Sequence, residues 1–307
     1  MTVKEEKTSK ILLGQGNNSL VMLFAINALV FAILKFIYVI YQMSDLNPDA
    51  FYSNIFNWFI LPAHITKLGS RPWSLLTSMF VHDSVWAVLP AMFWLWVFGY
   101  VLQDLTGNKR LIPIYIYGGL VGAVLYIATY NIVPRLQPGL PAAALFGSNA
   151  AIMAVAIATT TVKPDYRFFP MINGGIPLWI VTFAFVIIDI LSINLGDPAK
   201  YLAHIAGGAF GFMFIYQLRK GHDWSVGMNN IFDWFNDLFN PNKKAQNKNI
   251  RDEFFYKVHG AHPYKRIPNV TQKRIDEILD KINVEGYHLL TDEEKDILRR
   301  ASSEDEL

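Results

Sequence analysis

Six apolar runs, each close to the length of a membrane span, constrain this chain more than any other feature. They lie near residues 19–43, 74–103, 111–133, 141–162, 176–196 and 201–219. A helix needs about 20 apolar residues to cross the hydrocarbon core of a bilayer. It also satisfies its own backbone hydrogen bonds, which lipid cannot do for it. The expected fold is therefore all-α: a polytopic membrane protein with a six-helix transmembrane bundle and a small helical tail. Only 17% of the residues are charged, against about 25% in soluble domains, and 52% are hydrophobic. The first run, from about Leu20 to Met43, is too long for a signal-peptide core and lacks a small-residue cleavage site, so it is expected to remain as a span.

The positive charges orient the bundle. Lys4, Lys7 and Lys10 precede the first run, Lys109 and Arg110 follow the second, Lys163 and Arg167 follow the fourth, and Arg219 and Lys220 follow the sixth. The opposite connections hold only Lys67, Arg71, Arg135 and Lys200. This bias predicts that both termini face the cytoplasm. A formal net charge of +2 and the lack of any basic cluster give no sign of nucleic-acid binding. The chain contains no cysteine, which excludes disulfides and thiolate metal sites.

The connection at 44–73 holds Phe51, Tyr52, Phe56, Trp58, Phe59 and Leu61. It is too apolar for a water-filled loop and too short to span, so it is expected at the membrane interface. Four regions follow from the pattern: a tail at 1–18, the six-span domain at 19–220, an amphipathic helix and linker at 221–270, and a helical pair at 271–307. In the third region Ile231, Trp234, Phe235, Leu238 and Phe239 recur at helical spacing, which suits either the membrane surface or the base of the bundle. The stretch Asn240 to Asn249 reads as a polar linker. In the last region Ile275, Ile278, Leu279 and Ile282 form one helix face, Gly286 ends the helix, and Thr291 with Glu294 gives a capping-box pattern for a second helix.

Two motifs carry the chemistry. They are FGSNAAIMA, Phe146 to Ala154, and AHIAGGAFG, Ala203 to Gly211. Together with RPWSLLTSMFVHDSVW, Arg71 to Trp86, and the connection beginning FGYVLQDLTG at Phe98, they resemble the rhomboid intramembrane proteases over about residues 20 to 220. The tail resembles the C-terminal segment of Bacteroidetes rhomboids. The resemblance implies a serine nucleophile in a GxSx motif, a histidine base in AHxxG, and an oxyanion pocket supplied by a His and an Asn one helical turn apart. Laid on that pattern, Gly147 and His204 match, but Asn149 stands at the nucleophile position and Ala87 and Ala91 at the oxyanion positions. An amide is no nucleophile, and losing one oxyanion donor typically costs about 10²–10³ in rate.

The expected site is thus degenerate at Asn149, Ala87 and Ala91, with Asn149 expected to bond His204 across a helix contact. Gly147, Gly208 and Gly211, with Ala151, Ala154 and Ala158, form small-residue faces suited to close helix packing. The resemblance then implies a rhomboid-like pseudoprotease of a bacterial inner membrane. It would bind transmembrane helices or integral membrane proteins without cutting them, with a further partner engaged through residues 221–307. No cofactor is expected. The alternative is an active intramembrane serine protease using Ser148 and His204, although Ser148 lies about 100° around a helix from the expected position. His64, His82 and His204 lack the spacing of metal ligands, and the ionisable residues His82, Asp83 and Asp189 are expected to face the bundle or its surface.

Overall fold

The computed structural model describes residues 18–44, 47–168, 174–192, 197–238 and 272–304. Lys4, Lys7, Lys10 and the linker at 240–249 lie outside the described residues. The chain divides into two units, Met1–Phe235 and Asn236–Leu307.

The first unit holds the membrane helices: α1 (Ser19–Met43), then short α2 (Pro48–Asn54), α3 (Ile65–Ser70) and α4 (Ser74–Thr77), then α5 (Val85–Thr106), α6 (Leu111–Ile132), α7 (Asn149–Val162), α8 (Leu178–Ser192) and α9 (Pro198–Arg219). Among them α1, α5, α6 and α9 are long and apolar enough to cross a membrane, while α7 and α8 are shorter apolar helices. Two expected runs are broken. The run at 74–103 splits into α4, a 3₁₀ turn at Ser78–Phe80 and α5, with His82 in the break. The run at 141–162 is helical only from Asn149. Its first part forms strand β2 (Ala144–Leu145), paired antiparallel with β1 (Leu61–Pro62). A second two-stranded ladder, β3 (Arg167–Phe168) with β4 (Ile176–Pro177), joins α7 to α8.

The shortness of α7 has a physical basis. Its 14 residues rise about 21 Å, less than the ~30 Å core. It does not need to span because protein surrounds it: Ala150 to Ala156 are all buried. Irregular backbone is tolerated at membrane depth when protein covers it. Gly147 makes the turn into the helix with φ 98°, a region that favours glycine, and its N–H donates to the Ser78 carbonyl at 2.9 Å.

Helices α6, α7 and α9 pack closest. Lipid-exposed helices gain nothing from hiding apolar surface from other apolar surface, so contact depends on close approach. A Cβ at Gly118 would overlap the Ala154 methyl, and one at Gly122 would come within 2.8 Å of the Ala150 methyl and the Ala203 carbonyl oxygen. A Cβ at Gly207 or Gly211 would overlap the carbonyl oxygen of Ala150 or Ala154, respectively. Gly208 and Gly211 both lie against α7, Gly211 at the Ala154 carbonyl and Gly208 at the side chains of Met153 and Ile157; Gly207 joins them, and Gly147 is instead a turn residue with nothing within 4 Å of its Cβ position.

The connection after α1 is partly packed and partly exposed. Phe51, Phe56 and Ile60 pack with Leu34 of α1 and with Val81, while Tyr52, Trp58, Phe59 and Trp73 stay exposed, the last stacked on Trp58. Exposed tryptophan and tyrosine suit a membrane–water boundary.

At the basic end of the bundle the cations close helix ends. Arg219 donates to the carbonyls of Thr161 and Val162 at the end of α7, and Arg110 pairs with Asp223 at 3.0 Å. Helix α10 (Ser225–Leu238) starts beside this pair, and its Asn229 side chain donates to the Lys109 carbonyl. Its polar side holds it to the bundle, and Ile231 and Trp234 remain exposed.

The second unit contains α11 (Gln272–Glu285) and α12 (Asp292–Glu304), joined by a 3₁₀ turn at Tyr287–Leu289. Ile278, Leu290 and Ile297 form its small core. The capping box is complete: the Thr291 N–H donates to the Glu294 carboxylate at 2.9 Å and the Glu294 N–H to the Thr291 hydroxyl at 3.3 Å. The Thr291 N–H and the Lys281 ammonium hold the Glu294 carboxyl below its ordinary range. A depressed folded-state value gives stability that is full above the ordinary glutamate range and lost as pH falls through the folded value. Protection of the α11 and α12 amides, measured against the unstructured exchange rate at each pH, is therefore expected to weaken as pH falls below the ordinary glutamate range, and Glu294→Gln should remove that part of the pH dependence.

Candidate functional site

The site forms where α5, α7, α8 and α9 meet. Asn149 is the first residue of α7, Asp189 lies near the end of α8, and His204 lies near the start of α9. Asp189 is three residues from the end of its helix and His204 six from the start of its own, about 5 Å and 9 Å along the helix axis from those ends.

One carboxylate organises the cluster. The Asn149 amide donates to Asp189 Oδ1 at 3.3 Å, and His204 Nδ1 meets Asp189 Oδ2 at 2.7 Å. Asp189 and His204 are 5% and 6% exposed, so the pair is buried. The expected direct bond between Asn149 and His204 is corrected: the two share Asp189 between them. A buried ionisable group needs its partners close, and here both oxygens of Asp189 are engaged.

Asn149 opens onto a cavity of about 320 Å³ that Ala87, Ala91, Trp86, Trp94 and Asp189 also line. The three positions that sequence marked as degenerate thus share one cavity wall. His204 faces elsewhere. It lines a separate groove of about 420 Å³ between α8 and α9, and Asp189 borders both spaces.

Ser148, the alternative nucleophile, is fully buried, and its Oγ has no hydrogen-bond partner among the described residues. It does not line the cavity, and the His204 Nδ1 position is taken by Asp189. The hydroxyl that does line the cavity, Ser192, donates to the Ile188 carbonyl at 2.7 Å. His82 is buried and bonds Asn27 of α1 at 3.2 Å, whereas Asp83 is exposed. His64 caps α3 through the Thr66 N–H. The three histidines are thus in separate local settings, and no group of three His, Cys, Asp or Glu side chains able to hold a metal occurs among the described residues.

The geometry therefore holds a histidine and a carboxylate in contact, with the carboxylate rather than the histidine facing Asn149. The methyl groups of Ala87 and Ala91 line the same cavity as Asn149. The placement and spacing of these motifs agree with a rhomboid domain family model that matches residues 69–221. The chain belongs to the rhomboid family. Residues 264–304 match a second model, a family of unknown function (DUF6576).

This rhomboid chain is similar to presenilin-associated rhomboid-like protein A, mitochondrial, of Danio rerio, 27% identical over 157 residues, which cover 48% of the chain and 37% of the relative. The Homo sapiens presenilin-associated rhomboid-like protein, mitochondrial, is 26% identical over 156 residues, covering 48% and 38%. RHOMBOID-like protein 12, mitochondrial, of Arabidopsis thaliana is 24% identical over 180 residues, covering 54% and 52%. The match thus spans 37% to 52% of these relatives' lengths. The expectation of a bacterial inner membrane is overturned, because these relatives are mitochondrial. Hydropathy and charge bias describe how a chain crosses a bilayer, and they carry no information on which bilayer it is.

Asp189 is the functional residue that motif reasoning missed. Its signal was present, since a carboxylate inside an otherwise apolar run marks a functional position by default. The connection to His204 needed the fold, which brings the end of α8 and the start of α9 together at that one contact.

Proposed function

We propose that this rhomboid-family protein is a pseudoprotease that binds transmembrane helices or integral membrane proteins and does not cleave them. One observation carries the reading: Asp189 joins Asn149 to His204 beside a cavity walled by Ala87 and Ala91. The histidine's orienting partner is in place, yet the group beside it is a carboxamide. The cavity remains open for a guest although its polar chemistry has been replaced. The names of the Danio rerio and Homo sapiens relatives, presenilin-associated, record association, which supports a binding role. Residues 221–307 offer a second, independent contact region.

The test is reactivity. A fluorophosphonate probe should leave the purified full chain unlabelled, and a fluorogenic transmembrane peptide should stay intact in proteoliposomes. Asn149→Ser alone should not create measurable turnover, because the Ala87 and Ala91 positions would still lack oxyanion donors, each worth about 10²–10³ in rate. Labelling or cleavage by the unaltered chain that disappears in Ser148→Ala would overturn the proposal in favour of the protease. Recovery of bound membrane proteins from native membranes should fall in Ala87→Trp, which fills the cavity from an exposed position.

A further inference from the structure

The groove between α8 and α9 is separate from the cavity described above, and its shape and chemistry point to a different guest. Along α9 it runs from Tyr201 to Phe212, about 16 Å of helix. Met153 and Ile157 of α7 form its floor, and Val186 and Ile190 of α8 its far wall. Gly208 keeps it open: a Cβ there would come within 3.1 Å of both Ile157 and Met153. Polar side chains enter it only at one end, from Asp189, Tyr201 and His204.

At that end His204 presents an unused hydrogen-bonding atom. Its Nδ1 is held by Asp189 at 2.7 Å. Its Nε2 makes no hydrogen bond to the described residues and is not one of the sealed unpartnered atoms, so it is open to the groove that the ring lines. A polar atom facing an apolar groove gains from a guest that hydrogen-bonds it. We infer that the groove binds a lipid alcohol, with the hydroxyl on His204 Nε2 and a single hydrocarbon chain laid along α9 toward Phe212. A hydroxyl both donates and accepts. It therefore satisfies Nε2 whether that nitrogen is bare or carries a proton, which a pure donor or a pure acceptor would not. Size separates a chain from a helix. The groove measures about 420 Å³, which one turn of helix, about 10 Å wide and 5.4 Å in pitch, would fill completely. A spanning helix would need several turns, whereas one hydrocarbon chain fits the length and breadth available.

Photolabelling of the full chain in nanodiscs with a diazirine-bearing hexadecanol tests this. The label should map to residues 153–157, 186–190 or 201–212. Excess hexadecanol should displace it, and hexadecane should not. Ala209→Trp, placed at an exposed groove position, should abolish labelling without disturbing the core. His204→Phe should keep the chain contact but weaken displacement by hexadecanol about threefold to thirtyfold, the worth of one hydrogen bond in a membrane. Equal displacement by hexadecane, labelling unaffected by Ala209→Trp, or displacement only by a transmembrane peptide would each overturn the assignment. These readouts involve no cleavage and no client protein, so they are independent of the pseudoprotease reading.

Discussion

Gly211→Ala is expected to destabilise the bundle by about 3 kcal/mol, and Gly207→Ala by a similar amount, whereas Gly208→Ala should cost less than about 1 kcal/mol. The three glycines lie within five residues of one another, and composition alone would rank them alike. What differs is the atom that each new methyl group would meet. At Gly207 and Gly211 it is a carbonyl oxygen of α7, fixed in that helix's own hydrogen-bond ladder. The methyl can be accommodated only if α7 and α9 separate, and the contacts around them would be lost together. At Gly208 the neighbours are the side chains of Ile157 and Met153, which can change rotamer. Reversible unfolding in mixed micelles, followed by tryptophan fluorescence, reads the difference. Equal costs at all three positions would show that the α7–α9 contact is not as close as described.

The second large effect is at Asp189. Asp189→Leu removes the shared partner of His204 and Asn149, and it should cost about 3 kcal/mol. That figure lies between the ~0.6–2 kcal/mol of single hydrogen bonds in membranes and the ~3–5 kcal/mol of a broken buried ion pair. The burial of both Asp189 and His204 favours the upper range, since water cannot easily replace the lost partner. The double variant Asp189→Leu/His204→Leu should recover much of the loss, because removing both polar partners leaves nothing unpaired. A double-mutant cycle measures this directly. Additive single effects would mean that the two side chains do not depend on each other.

Much of the fold was legible in the sequence. The runs at 19–43, 111–133 and 201–219 correspond to α1, α6 and α9 to within a few residues, because apolar length is a local property that lipid imposes on each segment. The capping box at Thr291 and Glu294 is likewise local and complete. The apolar runs containing α5 and α7 start well before the helices themselves. At those two places protein covers the backbone, so the chain can break its helix at His82 and at Gly147 where hydropathy shows only continuous apolar residues.

The site divides the same way. Residue identity at Asn149, Ala87 and Ala91 needs no structure, because no packing can turn an amide or a methyl group into a hydroxyl. The three-dimensional fold alone decided that Asp189 stands between Asn149 and His204, that Ser148 is sealed in the core, and that Gly207 and Gly211 meet the backbone of α7 while Gly208 meets its side chains. Each of those outcomes depends on the rotation of one helix about its axis relative to another. Alanine and glycine occur on several faces of α7 and α9, so the sequence pattern allows more than one rotation, and only the packed backbones choose between them.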